Sequence, residues 1–210
     1  MAKVSIIYFT GSGHTAKLAD AVSKGAASVS GMQTNLVAIS GDDIVNGRYK
    51  NDEVMATLEA SDAIIFGSPT YMGGPAAQFK AFADATVDAW FVQKWRDKLA
   101  AGFTVSGALS GDKFSTLQYF HTLAMQHGMI WVGLGEMPAQ PNGVNRLGSW
   151  GGAMAEAGGE SPDPGPNEED KLTGEVLGKR VATLAFKISS RRPEDMGISE
   201  IPLQATSQGV

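Results

Sequence analysis

The chain has 210 residues and a formal net charge of −5, with 43% hydrophobic and 19% charged residues, a composition that describes one globular domain and not a disordered chain. The mildly acidic balance argues against a nucleic-acid surface, which needs clustered Lys and Arg, and no apolar run reaches the ~18 residues of a membrane span. Cysteine is absent, which removes disulfides, thiolate nucleophiles, Cys-zinc sites and iron–sulfur clusters together.

The first element is the apolar run "KVSIIY", a strand over 3–9 that begins almost at the N-terminus. No charged n-region and apolar h-region precede it, so a cytoplasmic protein is expected. Further strands are predicted at 34–39, 62–67, 101–106 and 129–133, with amphipathic segments between them. That alternation is the pattern of an α/β protein with a parallel sheet covered on both faces. Leu18, Ala21, Val22, Gly25, Ala26 and Val29 keep one face of a first helix. Ala77, Phe79, Phe82 and Ala83 mark a second. Leu117, Phe120, Leu123, Ala124 and His127 line a third, with Gly128 placed to close it. From 134 to 169 the chain is rich in Gly and Pro and has no clear period, and an excursion of that length in a compact domain is functional or disordered. A last helix carries Leu172, Val176, Leu177, Val181, Leu184, Ala185 and Ile188. The domain is read as 1–190, with a loosely held tail over 191–210.

The first loop, "FTGSGHTAKLAD", sets three hydroxyls and two glycines between a strand and a helix. Gly11, Gly13 and Ala16 formally satisfy G-x-G-x-x-A, but no acidic residue ends the second strand as the dinucleotide fingerprint requires. A Walker loop fails because no Gly-Lys-Ser/Thr follows. A terminal phosphate monoester fits better: Thr10, Ser12 and Thr15 offer hydroxyls, and Gly13 and His14 offer amides at a helix N-terminus, where the dipole favours an anion. His14 is expected to contribute its amide and leave its ring in solvent, and Lys17 is the only nearby cation. A hydroxyl-rich N-cap with no ligand is the plain alternative.

"TGSGHT" fits the [ST]-x-[ST]-G-x-T phosphate loop of flavodoxin-like proteins. "ADAIIFGSPTYMGGPAAQFKAFAD" and "KLAAGFTVSGALSGDKFSTL" resemble the second and third flavin loops of the WrbA-type NAD(P)H:quinone oxidoreductases, and "LAMQHGMIWVG" also matches. The resemblance spans roughly residues 3 to 188. It implies a flavodoxin-like five-stranded parallel sheet with helices on both faces and a long insertion before the last helix. The implied cofactor is FMN, and NAD(P)H is the implied electron donor.

In the second loop, Ser68 and Thr70 can bond the ribityl chain or ring edge, Pro69 stiffens the turn, Tyr71 and Met72 can lie against the ring, and Gly73 lets amides approach it. Tyr71 and Met72 also suit simple packing. In the third, Ser106, Gly107 and Ser110 offer small side chains and free amides to the pyrimidine end, where negative charge gathers on reduction. Ala108 and Leu109 depart from the Gly- and Thr-rich pattern of related reductases. Resemblance places His127 and Trp90 at the substrate side of the pocket, Trp90 often from a neighbouring subunit; spacing alone suits a core histidine and a hydrophobic anchor. His121 and His127 are six apart and make no metal pair on one helix face, so no metal is expected.

Two functions fit such a site. One is an enzyme passing two electrons from NAD(P)H to a quinone-type acceptor by a ping-pong mechanism, the other a flavodoxin-type carrier docking to a redox partner protein. An FMN-bearing interaction module without turnover is a third. The mild charge, the 134–169 excursion as a pocket wall or subunit contact, and Trp90 favour the enzyme. The resembling family commonly forms dimers and tetramers, so a homodimer or homotetramer is expected.

Overall fold

The computed structural model describes residues 1–138, 140–159 and 161–190; the tail from 191 lies outside them. In chain order the principal elements are β1 (Ala2–Tyr8), α1 (His14–Ala27), β2 (Met32–Ala38), α2 (Asp52–Glu59), β3 (Ala63–Tyr71), α3 (Ala77–Ala85), α4 (Val87–Phe91), β4 (Leu99–Ser106), α5 (Lys113–Gln126), β5 (Ile130–Trp131), β6 (Ala153–Glu156) and α6 (Glu168–Ser189). Every pairing between these strands is parallel, in the spatial order β2-β1-β3-β4, with β5 and β6 sharing the edge beyond β4.

Alternation along the strands feeds two cores, as a period of two requires. Val4, Ile6, Ile65 and Phe103 face α1 and α6 together with Leu18, Val22, Leu177 and Val181. Ile7, Ile64, Phe66 and Ala100 face the other layer, where Phe79, Phe82, Trp95 and Phe120 pack. Phe79 and Phe120 approach to 4.7 Å between ring centroids. All eight residues of β4 are buried, consistent with a strand covered on both faces.

The fifth strand position departs from expectation. Only Ile130 and Trp131 of the predicted 129–133 segment pair with β4, opposite Leu99 and Ala100. The chain then leaves the sheet and returns as β6, which pairs with Phe103–Ser106. The excursion therefore splits the fifth strand instead of following it, and part of 134–169 is sheet. Trp131 Nε1 donates to the Gly151 carbonyl across the gap at 2.9 Å.

Helices α1 and α6 cross in such close contact that a Cβ on Gly25 would meet the Glu175 carbonyl, and one on Gly178 the Val22 carbonyl. Neither obstacle is a flexible side-chain end. Gly178→Ala gains about 1 kcal/mol of helix propensity but forces two backbones apart, an overpacking cost of about 3 kcal/mol. The expected result is a net loss of roughly 2 kcal/mol in urea unfolding; an unchanged or stabilised variant would show that the helices separate freely.

Candidate functional site

Four loops leave the carboxyl ends of β1, β3, β4 and β6 and enclose one cleft, the place where an open parallel sheet receives ligands. Its lining includes Gly11, Ser12, His14 and Thr15 from the first loop, Pro69, Thr70 and Tyr71 from the second, Val105, Ser106 and Gly107 from the third, and Ala157, Gly158 and Gly159 after β6.

The first loop is shaped from within. Thr10 Oγ1 accepts from the Gly13 amide at 3.0 Å and from the Ala16 amide at 3.4 Å, so it winds the loop and does not itself line the cleft. Gly13 has φ 91°, and no side chain caps α1. The amides of His14 and Thr15 have no bonding partner among the described residues, and no acidic residue stands in the first turn. Unpaired amides at the positive end of a 14-residue helix are an anion cradle, with the Ser12 and Thr15 hydroxyls beside it.

The His14 ring is not in solvent. It is 8% exposed, and its Nε2–H donates to the Ser161 carbonyl at 2.8 Å. Lys17 is likewise engaged: its ammonium donates to the Pro162 carbonyl at 2.9 Å and to the Asp163 carboxylate. Pro162 lies over Gly13, where a Cβ would come within 3.0 Å of it. The segment 161–163 thus straps the first loop from outside.

In the second loop Ser68 is fully buried; its hydroxyl accepts from the Ala76 amide and donates to the Pro69 carbonyl, both at 2.9 Å. It holds the loop closed rather than meeting a ligand. Thr70 Oγ1 joins the hydroxyls of Thr104 and Thr116 at 2.8 Å each, and the Tyr71 hydroxyl covers Gly11, where a Cβ would collide with it. Met72 is fully exposed, and Gly73, at φ 77°, supplies the turn; neither lines the cleft. In the third loop Ser106 and Gly107 line it and Ser110 does not.

Sequence reasoning did not single out Lys113, whereas "GSWGGAMAEAGG" resembles the family's loop near the same pocket and its end, Ala157–Gly159, forms a wall of the cleft. Lys113 is buried beneath the third loop, donating to Ser106 Oγ and to the carbonyls of Ala108 and Leu109. At that wall Gly158 faces Gly107, and a Cβ on Gly158 would make ordinary contact with the Gly107 Cα at 3.6 Å.

Trp90 and His127 do not line the cleft. Helix α3 runs back from the carboxyl edge of the sheet, so α4, which carries Trp90, lies beside the end of α5 and the start of β4. The Gln93 side chain there bonds the Trp90 and Gln126 carbonyls. Trp90 is half-exposed, with Val87, Phe91 and Val92 exposed around it. His127 follows α5, about 20 Å of helix away from the third loop. It is 1% exposed, stacked on Trp95 with ring centroids 4.3 Å apart, and its Nε2 pairs with Thr86 Oγ1 at 2.8 Å. It is a core histidine.

Burial pushes His127 down to about 4 from 6.5. Between those values the unfolded chain holds a proton that the folded chain refuses. Stability is therefore complete above about pH 6.5 and is lost as pH falls toward 4, by on the order of 3 kcal/mol. His127→Gln should flatten this part of the pH–stability curve in urea unfolding at fixed temperature; an equally steep variant would assign the slope to other groups.

The description "NADPH-dependent FMN reductase" matches residues 4–140. A Pseudomonas aeruginosa protein named "Flavodoxin FldP" is 38% identical over 90% of this chain and 99% of its own. A Chromohalobacter salexigens protein named "NAD(P)H dehydrogenase (quinone)" is 31% identical over 90% of this chain and 100% of its own. The crystal structure of a flavodoxin, WrbA-like protein from Agrobacterium tumefaciens is 40% identical, with a TM-score of 0.70 over 89% of this chain and 99% of that one. With a family description over more than half its length and relatives aligned nearly end to end, this flavodoxin-like chain belongs to the NADPH-dependent FMN reductase family.

Proposed function

We propose that the protein is an FMN-dependent oxidoreductase that passes two electrons from NAD(P)H to quinone-type acceptors. The observation that carries this reading is the slot between Pro69–Tyr71 and the Ala157–Gly159 wall, opening from an anion cradle at one end to the third loop at the other. The residues fit the cofactor. Glycines at 107, 158 and 159 leave backbone faces bare, and the unpaired His14 and Thr15 amides suit a monoester phosphate. The relative named as an NAD(P)H dehydrogenase (quinone) supports the donor and acceptor.

When bound, FMN supplies the redox chemistry, taking hydride from NAD(P)H and returning two electrons to the acceptor. The protein's own part is placement. Ser12, Thr15 and the α1 amides hold the phosphate. Thr70, fixed by Thr104 and Thr116, presents a hydroxyl beneath the cleft, Ser106 and Gly107 border the opposite end, and Tyr71 stands at the mouth. No protein acid is required, since solvent can protonate the reduced acceptor. Trp90 would serve this cleft only from a neighbouring copy, in keeping with a homodimer or homotetramer and with the exposed apolar residues around it. No described helix is long and apolar enough to cross a membrane, and a cytoplasmic location accords with that.

A second reading, an electron carrier that docks to a redox protein, is favoured by the FldP relationship. Kinetics separate the two. One slot cannot hold nicotinamide and quinone against the same ring, so oxidised nucleotide must leave before quinone enters. Steady-state rates with NADH or NADPH and benzoquinone should give parallel double-reciprocal lines. If neither nucleotide bleaches the bound flavin within minutes, the enzyme reading gives way to the carrier.

The phosphate assignment has its own test. Ser12→Ala with Thr15→Ala removes about two hydrogen bonds to a charged group, at roughly 1.5–3 kcal/mol each. FMN affinity by fluorescence quenching should fall by about two orders of magnitude or more. An unchanged dissociation constant would place the phosphate elsewhere.

A further inference from the structure

Lys113 opens α5 and is 1% exposed. No carboxylate lies within ion-pair reach of its ammonium among the described residues. Instead it donates to Ser106 Oγ at 2.7 Å, to the Ala108 carbonyl at 2.7 Å and to the Leu109 carbonyl at 3.0 Å. Three acceptors match the three N–H bonds of the charged form; a neutral amine has only two. Burial pulls the group below the ordinary lysine range, while Asp170 and Glu156 push it back and Arg146 lowers it. Both carboxylates face Arg146 directly, at 2.7 and 3.5 Å.

That charge is in an unfavourable place for stability. It is desolvated, it lacks a direct counterion, and it stands in the first turn of a helix, where the dipole disfavours a cation. A neutral donor could satisfy two loop carbonyls without those costs. What the position does supply is positive potential, one hydrogen bond behind Ser106, which lines the cleft. The α5 dipole adds to it with the same sign.

We propose that Lys113 is a positioning residue for the cofactor's redox equilibrium: through Ser106 and the loop it winds, its buried ammonium stabilises the negative charge that FMN acquires on reduction. This rests on the reading that FMN occupies the cleft with its pyrimidine end at the third loop. Two electrons and one proton convert the neutral ring to a monoanion, and a fixed cation beside that end favours the product over the reactant. Of the carboxylates that face the lysine, Asp170 and Glu156, Arg146 offsets one unit of charge and also pairs with Glu169, so the positive potential at Ser106 rests on Lys113 itself, the charge that bonds it directly at 2.7 Å.

The test compares wild type, K113M and K113R as holoproteins, with FMN affinity measured in the oxidised state and after reduction by dithionite. K113M should lose at least tenfold of the preference for reduced over oxidised FMN, a fall of about 30 mV in the two-electron midpoint potential. K113R, which keeps the charge, should stay within about threefold of wild type. K113M binding FMN with an unchanged preference overturns the proposal, as does K113R losing as much as K113M. A measurement on wild type stands independently of how the variants fold. The absorbance of the bound reduced flavin should remain that of the anion to at least one pH unit below the ionisation of free reduced FMN. Protonation at the same pH as free FMN overturns the proposal. Wild-type protein that binds no FMN overturns the site reading together with it, whereas bound FMN with unchanged preference overturns the role of Lys113 alone.

Discussion

The bidentate ion pair between Arg146 and Asp170 is the constraint on which the site depends. Arg146 Nε and Nη2 donate to the two carboxylate oxygens at 2.8 and 2.7 Å, and Asp170 is 1% exposed. The same carboxylate accepts from the Glu156 amide at 2.8 Å. One buried group thereby joins the excursion, β6 and the first turn of α6. A paired buried charge gains little over an apolar substitute, but removing one partner strands the other at a cost of about 3–5 kcal/mol. The interaction is therefore better understood as fixing register than as supplying stability. Asn145 supports it, donating its amide to Thr173 Oγ1 at 2.9 Å and its side chain to the Glu136 carbonyl at 2.8 Å.

Register matters here because β6 is a strand of four residues that the chain reaches only after leaving the sheet. Four residues of parallel pairing are weak by themselves, and a slip by one would turn Ala153 and Ala155 away from the core. With Glu156 tied to Asp170, the Ala157 amide reaches the Ser106 carbonyl at 3.0 Å, and Gly158 comes up against Gly107. The cleft wall is thus an outcome of an ion pair on the edge of the sheet, through a strand that could not hold its position alone.

What the sequence discloses follows from how far each signal travels along the chain. Strands β1, β3 and β4 and helices α1, α3, α5 and α6 announce themselves by local periodicity, and the phosphate loop by hydroxyls within six residues. Helix α2 does not, because in its eight residues only Leu58 is buried and no stripe forms; its clearest mark is Asn51 accepting from the Val54 amide. The split fifth strand is illegible for a different reason. Its halves are separated by more than twenty residues and united only by pairing to β4. His127 and Trp90 lie away from the cleft: in this chain the polypeptide between α3 and β4 lies at the amino edge of the sheet, where Trp95 claims His127 as a packing partner. Ser68 and Thr10 have the right chemistry for a ligand, yet their hydroxyls are spent on the amides of their own loops.

Charge is distributed unequally between the two ends of the cleft. At the first-loop end Lys17 is bound to Pro162 and Asp163, so an anion there would be left to amides and a helix dipole. Those are fixed partial charges that serve a phosphate identically in every redox state. At the other end a full ammonium is buried behind Ser106, where, on the proposed placement, the cofactor gains charge on reduction. On that reading, binding strength and redox preference fall to different groups. A change in Ser12 or Thr15 acts on the phosphate, which is the same in both redox states, so oxidised and reduced FMN lose affinity together. A change in the charge of Lys113 acts mainly on the difference between them. A carrier that must deliver electrons at low potential gains nothing from a buried cation at that position, whereas an oxidant for nicotinamide does. If Lys113 acts as proposed, the separation of the two tasks within one cleft favours the reductase reading over the carrier.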